Sequence, residues 1–204
     1  MKKYFVTGIG TDIGKTVVAA ILTEALEADY WKPVQSGDLH NSDTMKVQQL
    51  VSNSKTIFHP ESYQLTQPMS PHAAARIDNI KIELSKITLP QTQNNLIIEG
   101  AGGLMVPLND KTLIIDLIQQ LDVEVILVSQ NYLGSINHTI LSIDALKTRG
   151  INIAGIIFNG NENSETEKFI LNHSKLRFLG RVKQHDSINK DVILSYKNQF
   201  QLNE

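Results

Sequence analysis

Gly8-Ile9-Gly10-Thr11-Asp12-Ile13-Gly14-Lys15-Thr16 is the stretch on which the reading of this chain turns. It follows a short apolar run, Lys3–Thr7 (KYFVT), and opens directly into a segment of helical period, Lys15–Glu27. A strand, a glycine-rich turn and a helix start in that order gather backbone N–H groups and the positive end of a helix around one point, an arrangement suited to phosphate oxygens. Lys15 would then reach the β- and γ-phosphates from an exposed loop, and the Thr16 hydroxyl would ligate Mg²⁺. Five residues separate Gly8 from Gly14, one more than the usual phosphate-loop spacing. The plain alternative is a glycine-rich strand-to-helix turn bearing a surface lysine.

Outward from the loop, apolar β-branched runs alternate with helical patterns. Leu96–Glu99, Val123–Ser129 and Ile153–Asn159 read as strands covered on both faces, with Leu176–Val182 a weaker member. Thr112–Leu121 and Ser135–Arg149 read as helices between them; Ser135 can cap the second, Ile136, Ile140 and Ile143 share one face, and Gly150 supplies the stop. Ser164 and Glu167 form a candidate capping box, and Ile188, Val192, Ile193, Tyr196 and Phe200 pattern a closing amphipathic helix. Ser70-Pro71 reads as a helix start, so His72 is left structural, within an irregular region Ile57–Gln93 that holds four of the six prolines. Strands separated by helices imply βαβ units. The expected fold is α/β, a doubly wound, mainly parallel sheet with helices on both faces, of the P-loop NTPase type, with residues 1–204 as a single domain.

Composition removes other classes. The 204 residues carry 19 basic and 21 acidic side chains, a net charge of −2, which speaks against a nucleic-acid partner held by bulk charge. With no cysteine there can be no disulfide, thiolate metal site or cysteine nucleophile. The six histidines show no H-x3-H pair, which speaks against zinc. No run approaches the roughly 18 apolar residues of a membrane span, and the first residues lack a signal-peptide pattern, so a cytoplasmic protein without a membrane partner is expected.

A phosphate loop that uses Mg²⁺ needs one or two carboxylates nearby. Glu99 ends the apolar run Leu96-Ile97-Ile98 and precedes Gly100-Ala101-Gly102-Gly103, at a strand's carboxyl end, where ligands of open α/β sheets bind. It reads as a metal ligand or, alternatively, as a solvated strand end. Asp43, in Asn41-Ser42-Asp43, reads first as a helix first-turn carboxylate and second as another ligand. Lys32, in Tyr30-Trp31-Lys32-Pro33-Val34-Gln35-Ser36-Gly37, reads as an exposed lysine on an extended segment or as a cation for a transferring phosphoryl group.

Taken together, these pieces resemble the dethiobiotin synthetase family. The matching segments are Tyr4-Phe5-Val6-Thr7-Gly8, the long phosphate loop ending Gly14-Lys15-Thr16, Lys32 to Gly37, Asn41-Ser42-Asp43, Ser70-Pro71-His72, Glu99 to Gly103, Leu133-Gly134-Ser135-Ile136-Asn137-His138 and Asn159, with the resemblance running to about Gly180. The resemblance implies ATP as co-substrate, Mg²⁺, and CO2 acting on 7,8-diaminononanoate to close a ureido ring, in a homodimer with active sites at the subunit interface. It implies Lys15 and Lys32 as catalytic cations. Asp12, Ile13, Gly14, Lys15, Thr16, Val17, Asp43, Glu99, Gly100, Ala101, Gly102 and Asn159 would bind ATP, with Asn159 at the adenine. Thr11, Lys32, Ser36, Gly134, Ser135, Ile136 and Asn137 would bind substrate, the last four from the partner subunit, and Thr16, Asp43 and Glu99 would hold the metal.

The chain departs from the family pattern at four places. Gly10 stands where Asp is frequent, Asp12 where Glu is common and Tyr132 where Lys is frequent, and Arg181-Val182-Lys183-Gln184-His185 lacks the proline of the late nucleotide loop, so none of those five is assigned to the site. The rival reading is a partitioning-type P-loop ATPase, a switch protein. Those proteins carry an additional lysine five residues before the main one, where this chain has Gly10.

Overall fold

A computed structural model describes residues 1–200 and 202. In chain order its elements are β1 (Lys3–Gly8), α1 (Lys15–Leu26), β2 (Asp29–Trp31), β3 (Val34–Ser36), α2 (Asp43–Leu50), β4 (Phe58–His59), β5 (Tyr63–Leu65), α3 (Pro71–Ile77), β6 (Leu96–Gly103), α4 (Ile114–Leu121), β7 (Glu124–Gln130), α5 (Ser135–Thr148), β8 (Ile153–Asn159), α6 (Ser164–Ser174), β9 (Phe178–Val182) and α7 (Lys190–Ser195). Seven strands make one sheet in the order β4-β2-β6-β1-β7-β8-β9, every neighbouring pair parallel, and β3 pairs with β5 in a small second sheet.

Strand alternation divides the core in two. Tyr4, Val6, Tyr30, Ile97, Ile126, Val128 and Ile157 face α1, α2 and α7. Phe5, Trp31, Leu96, Ile98 and Val125 face α3 and α4, and Leu127, Ile156 and Phe158 pack under α5 and α6. Helices therefore cover both sheet faces, and the central strands have no polar face to spare. This accounts for their continuous apolar runs.

Several expectations are corrected. α5 begins at Ser135 but is capped by Gly134 at φ 101, with no side-chain cap; Ser135 is buried as the first helical residue instead. At α6 the cap is Asn163, whose side chain accepts from the Thr166 N–H, while Glu167 accepts from the Asn163 N–H, so the box sits one residue earlier than Ser164. The closing helix is confined to Lys190–Ser195, and Tyr196 and Phe200 pack from the turn beyond it. The irregular region contains β4, β5, α3 and a single 3-10 turn, Leu84–Lys86, four short elements. The expected domain includes residues 201, 203 and 204, which lie outside the described residues.

Candidate active site

The phosphate loop leaves β1 and enters α1 through Gly14, which adopts φ 86; a Cβ there would lie 2.2 Å from the Asn159 amide nitrogen. Both the left-handed backbone and the close approach demand glycine. No side chain caps α1, so its first N–H groups stay available to an anion. The Asn159 side chain, from the carboxyl end of β8, donates to the Ile13 carbonyl at 2.9 Å and ties the loop to the far side of the sheet.

Lys15 is not a surface lysine. It is buried, and its Nζ donates to the Gly10 carbonyl at 2.7 Å. Burial lowers its pKa to about 8, with Lys32 pushing the same way and Glu99, Asp12 and Asp43 opposing. Lys32 is buried as well, which corrects the exposed reading: its Nζ donates to Asp43 Oδ2 at 2.6 Å and Glu99 Oε1 at 3.1 Å. Burial alone would lower its pKa, but attraction to Glu99 and Asp43 carries it above the ordinary lysine value. Asp43 sits in the first turn of α2, as its first reading has it. It opens α2 behind the Ser42 cap, and its carboxylate is held below its ordinary pKa, against burial, by Lys32 and by Lys46, whose Nζ lies 3.2 Å from Oδ1.

Glu99 is a buried group in the middle of β6, which runs on for four more residues to Gly103, and not a solvated strand end. Its Oε1 accepts from Thr16 Oγ1 at 2.8 Å and from Lys32, and its Oε2 accepts from the Tyr30 hydroxyl at 2.8 Å. Asp43 and Glu99 thus both meet the Lys32 ammonium, and Thr16 joins them through its bond to Glu99 Oε1, so that three hard-oxygen side chains form one connected cluster. Two carboxylates and a hydroxyl are what Mg²⁺ asks of a protein when phosphates and water complete its shell. Among the described residues no group of three or more His, Cys, Asp or Glu forms an all-protein cage.

These groups line one cavity of about 770 Å³ at the carboxyl ends of β1 and β6. Thr11, Asp12, Gly14, Lys15, Thr16, Val17, Lys32, Ser36, Asp43, Glu99, Ala101 and Gly102 all reach it. Ser36 Oγ is buried without a partner. Among residues that the sequence reading did not assign to the site, Gln35, Asp38, Lys46, Val106 and the loop Pro68–Pro71 also line it. Gln35 holds this wall together: its Oε1 accepts from the Asp43 N–H at 3.2 Å and its Nε2 donates to the Gly37 carbonyl at 2.9 Å. Asn159 lines a second cavity of about 330 Å³ together with Gln130, Asn131 and Lys183-Gln184-His185, and Val17 borders both. The loop left out of the sequence assignment therefore walls this cavity; its only local signal was its place after a strand. Ile13 and Gly100 are buried behind the lining. Gly134, Ser135, Ile136 and Asn137 border neither cavity.

A family model described as an AAA domain matches residues 2–191. The ATP-dependent dethiobiotin synthetase BioD of Christiangramia forsetii is 55% identical over 199 residues, covering 98% of this chain and 96% of its own. The protein of the same name from Cytophaga hutchinsonii is 54% identical over 197 residues, covering 96% and 95%. Among solved structures, a ParA family ATPase from Chlorobium tepidum TLS superposes with a TM-score of 0.58 at 16% identity, over 96% of this chain and 97% of that one, a likeness of fold alone.

Proposed function

We infer the chemistry of the site from one premise: the chain belongs to the ATP-dependent dethiobiotin synthetase family. It is an ATP-dependent ligase of biotin biosynthesis. In the reaction we propose, one amine of 7,8-diaminononanoate adds to CO2 and loses a proton, giving a carbamate. A carbamate oxygen attacks the γ-phosphorus of ATP and ADP leaves. The second amine then attacks the carbonyl carbon and loses a proton, the carbon–oxygen bond to phosphate breaks, phosphate departs and the ureido ring closes.

Phosphoryl transfer asks the protein mainly for positioning and charge stabilisation. Lys15 and Lys32 supply cations beside the γ-phosphoryl group and the carbamate, and the loop amides from Asp12 to Val17 take the phosphates. Thr16, Asp43 and Glu99 hold Mg²⁺, which when bound neutralises phosphate charge. Thr11 and Ser36 border the substrate end, and Asn159 reads the base. The convergence of Lys15, Lys32, Thr16, Asp43 and Glu99 on one cavity carries this assignment.

The chain forms one P-loop domain, and the working unit is a homodimer. Exposed apolar side chains at and near the start of α5 support this: Leu133 is fully exposed at 104%, and Tyr132, Ile136 and Leu141 are exposed as well. The uncapped start of α5 beside them would receive the substrate carboxylate across the interface. Among the described residues no helix is long and apolar enough to cross a membrane.

The test is phosphate release with MgATP and bicarbonate, with and without 7,8-diaminononanoate, and product identification by mass. Diamine-dependent phosphate with dethiobiotin is the expected result. Hydrolysis indifferent to the diamine would sink the proposed reaction sequence.

A further inference from the structure

Tyr30 is a fully buried phenol that the reaction above does not use. It lies in β2, where Tyr30 pairs with Ile97 of β6. Side chains alternate along a strand, so Glu99, two residues beyond Ile97, emerges on the same sheet face as the Tyr30 ring. The ring packs on Phe58, with centroids 6.0 Å apart, and the hydroxyl donates to Glu99 Oε2 at 2.8 Å. A phenol has one proton to donate, and here it goes to one oxygen of one carboxylate. The two oxygens of Glu99 thereby become unequal. Oε2 is taken up inside the core, while Oε1 is turned towards Thr16 and Lys32 in the cavity. Without the hydroxyl, the carboxylate could rotate about its last bond, and a buried oxygen would lack a donor.

We propose that Tyr30 is a positioning residue for the metal: its hydroxyl locks the Glu99 carboxylate so that a single oxygen faces the divalent cation. This rests on the reading of Glu99 as a Mg²⁺ ligand. Hydrogen-bond partners of metal ligands characteristically change affinity by about 10- to 100-fold when removed.

The test is Mn²⁺ binding, followed by water-proton relaxation, to the full chain with a non-hydrolysable ATP analogue present. Tyr30→Phe is expected to raise the half-saturating Mn²⁺ about 10-fold, while Phe58→Leu, which disturbs the same packing without touching the hydroxyl, is expected to lower thermal stability and leave Mn²⁺ binding unchanged. If Tyr30→Phe alters stability alone, or Phe58→Leu weakens Mn²⁺ binding equally, the proposal is overturned. Glu99→Gln separates the two layers. No effect of Glu99→Gln on Mn²⁺ removes the metal reading itself, whereas an effect there with none from Tyr30→Phe removes only the role of Tyr30. Should Tyr30→Phe not fold, the wild-type chain labelled with 3-fluorotyrosine decides. Its Tyr30 resonance, assigned by replacing the other four tyrosines, must shift when Mg²⁺ joins the analogue complex, and an unmoved resonance overturns the proposal.

Discussion

Lys15 donates to a carbonyl of its own loop and is buried, and burial brings its pKa to about 8, so the nucleotide-free protein holds a substantial neutral fraction of this side chain in mildly alkaline solution. Phosphate oxygens favour the ammonium form. Binding of a nucleotide must then draw a proton from solvent above about pH 8 and draw almost none below about pH 7. Because the free protein binds fewer protons than the complex, affinity falls as pH rises through this window. Calorimetry in two buffers of different ionisation enthalpy reads the uptake directly. Equal heats in both at about pH 8.5 would show that Lys15 is already fully charged.

At the level of elements, the strand-loop-helix junction concentrates its demands on Gly14. Gly14→Ala forces a Cβ into a left-handed backbone and against the Asn159 amide, so it is expected to destabilise the fold by about 1–2 kcal/mol and to weaken nucleotide binding further by displacing the loop. Urea unfolding and nucleotide titration on the same variant would check both. This junction was legible in the sequence because everything it needs is local: strand, glycines, lysine and helix are contiguous. Glu99 was legible as a charge ending an apolar run. What escaped depends on register and distance. Nothing near Lys32 in sequence announces that Asp43 and Glu99 will meet its ammonium, nor that the loop will fold over Lys15. β2 and β3 span three residues each, too few for a period to show, and α2 buries only Val47, so its apolar stripe is nearly absent. Caps were misplaced by one residue at α5 and α6 because Gly134 and Asn163 take roles that the neighbouring serines could equally have filled.

Across the whole molecule, Asp29 joins segments distant in the chain. Its buried carboxylate accepts from the Ile57 N–H at 3.0 Å, Thr92 Oγ1 at 2.5 Å and Asn94 Nδ2 at 3.2 Å, and it meets His59 Nε2 at 3.1 Å. Burial would raise its pKa, but these bonds bring it below the ordinary aspartate value. A depressed carboxylate contributes stability that is present above its unfolded pKa of about 3.9 and is lost as pH falls through the folded value. Asp29→Asn should therefore cost about 2 kcal/mol at neutral pH and flatten the acid limb of the stability curve, measurable by urea unfolding between neutral pH and about pH 3. The exposed apolar side chains around Leu133 belong to the same scale. Leu133→Asp is expected to convert dimer to monomer in sedimentation velocity and to raise the KM for the diamine, and a wild-type chain that sediments as a monomer at micromolar concentration would dispose of the dimer. The larger cavity, finally, is lined by Lys15, Lys32 and Lys46 against Asp12, Asp38, Asp43 and Glu99. An approaching polyphosphate therefore meets no net positive field to guide it in from a distance, and its capture is left to loop amides that act only on arrival. Added salt should therefore not slow association and, by screening like charges, should raise its rate modestly, so encounter with the nucleotide owes its speed to ordinary diffusion and docking and not to attraction from afar.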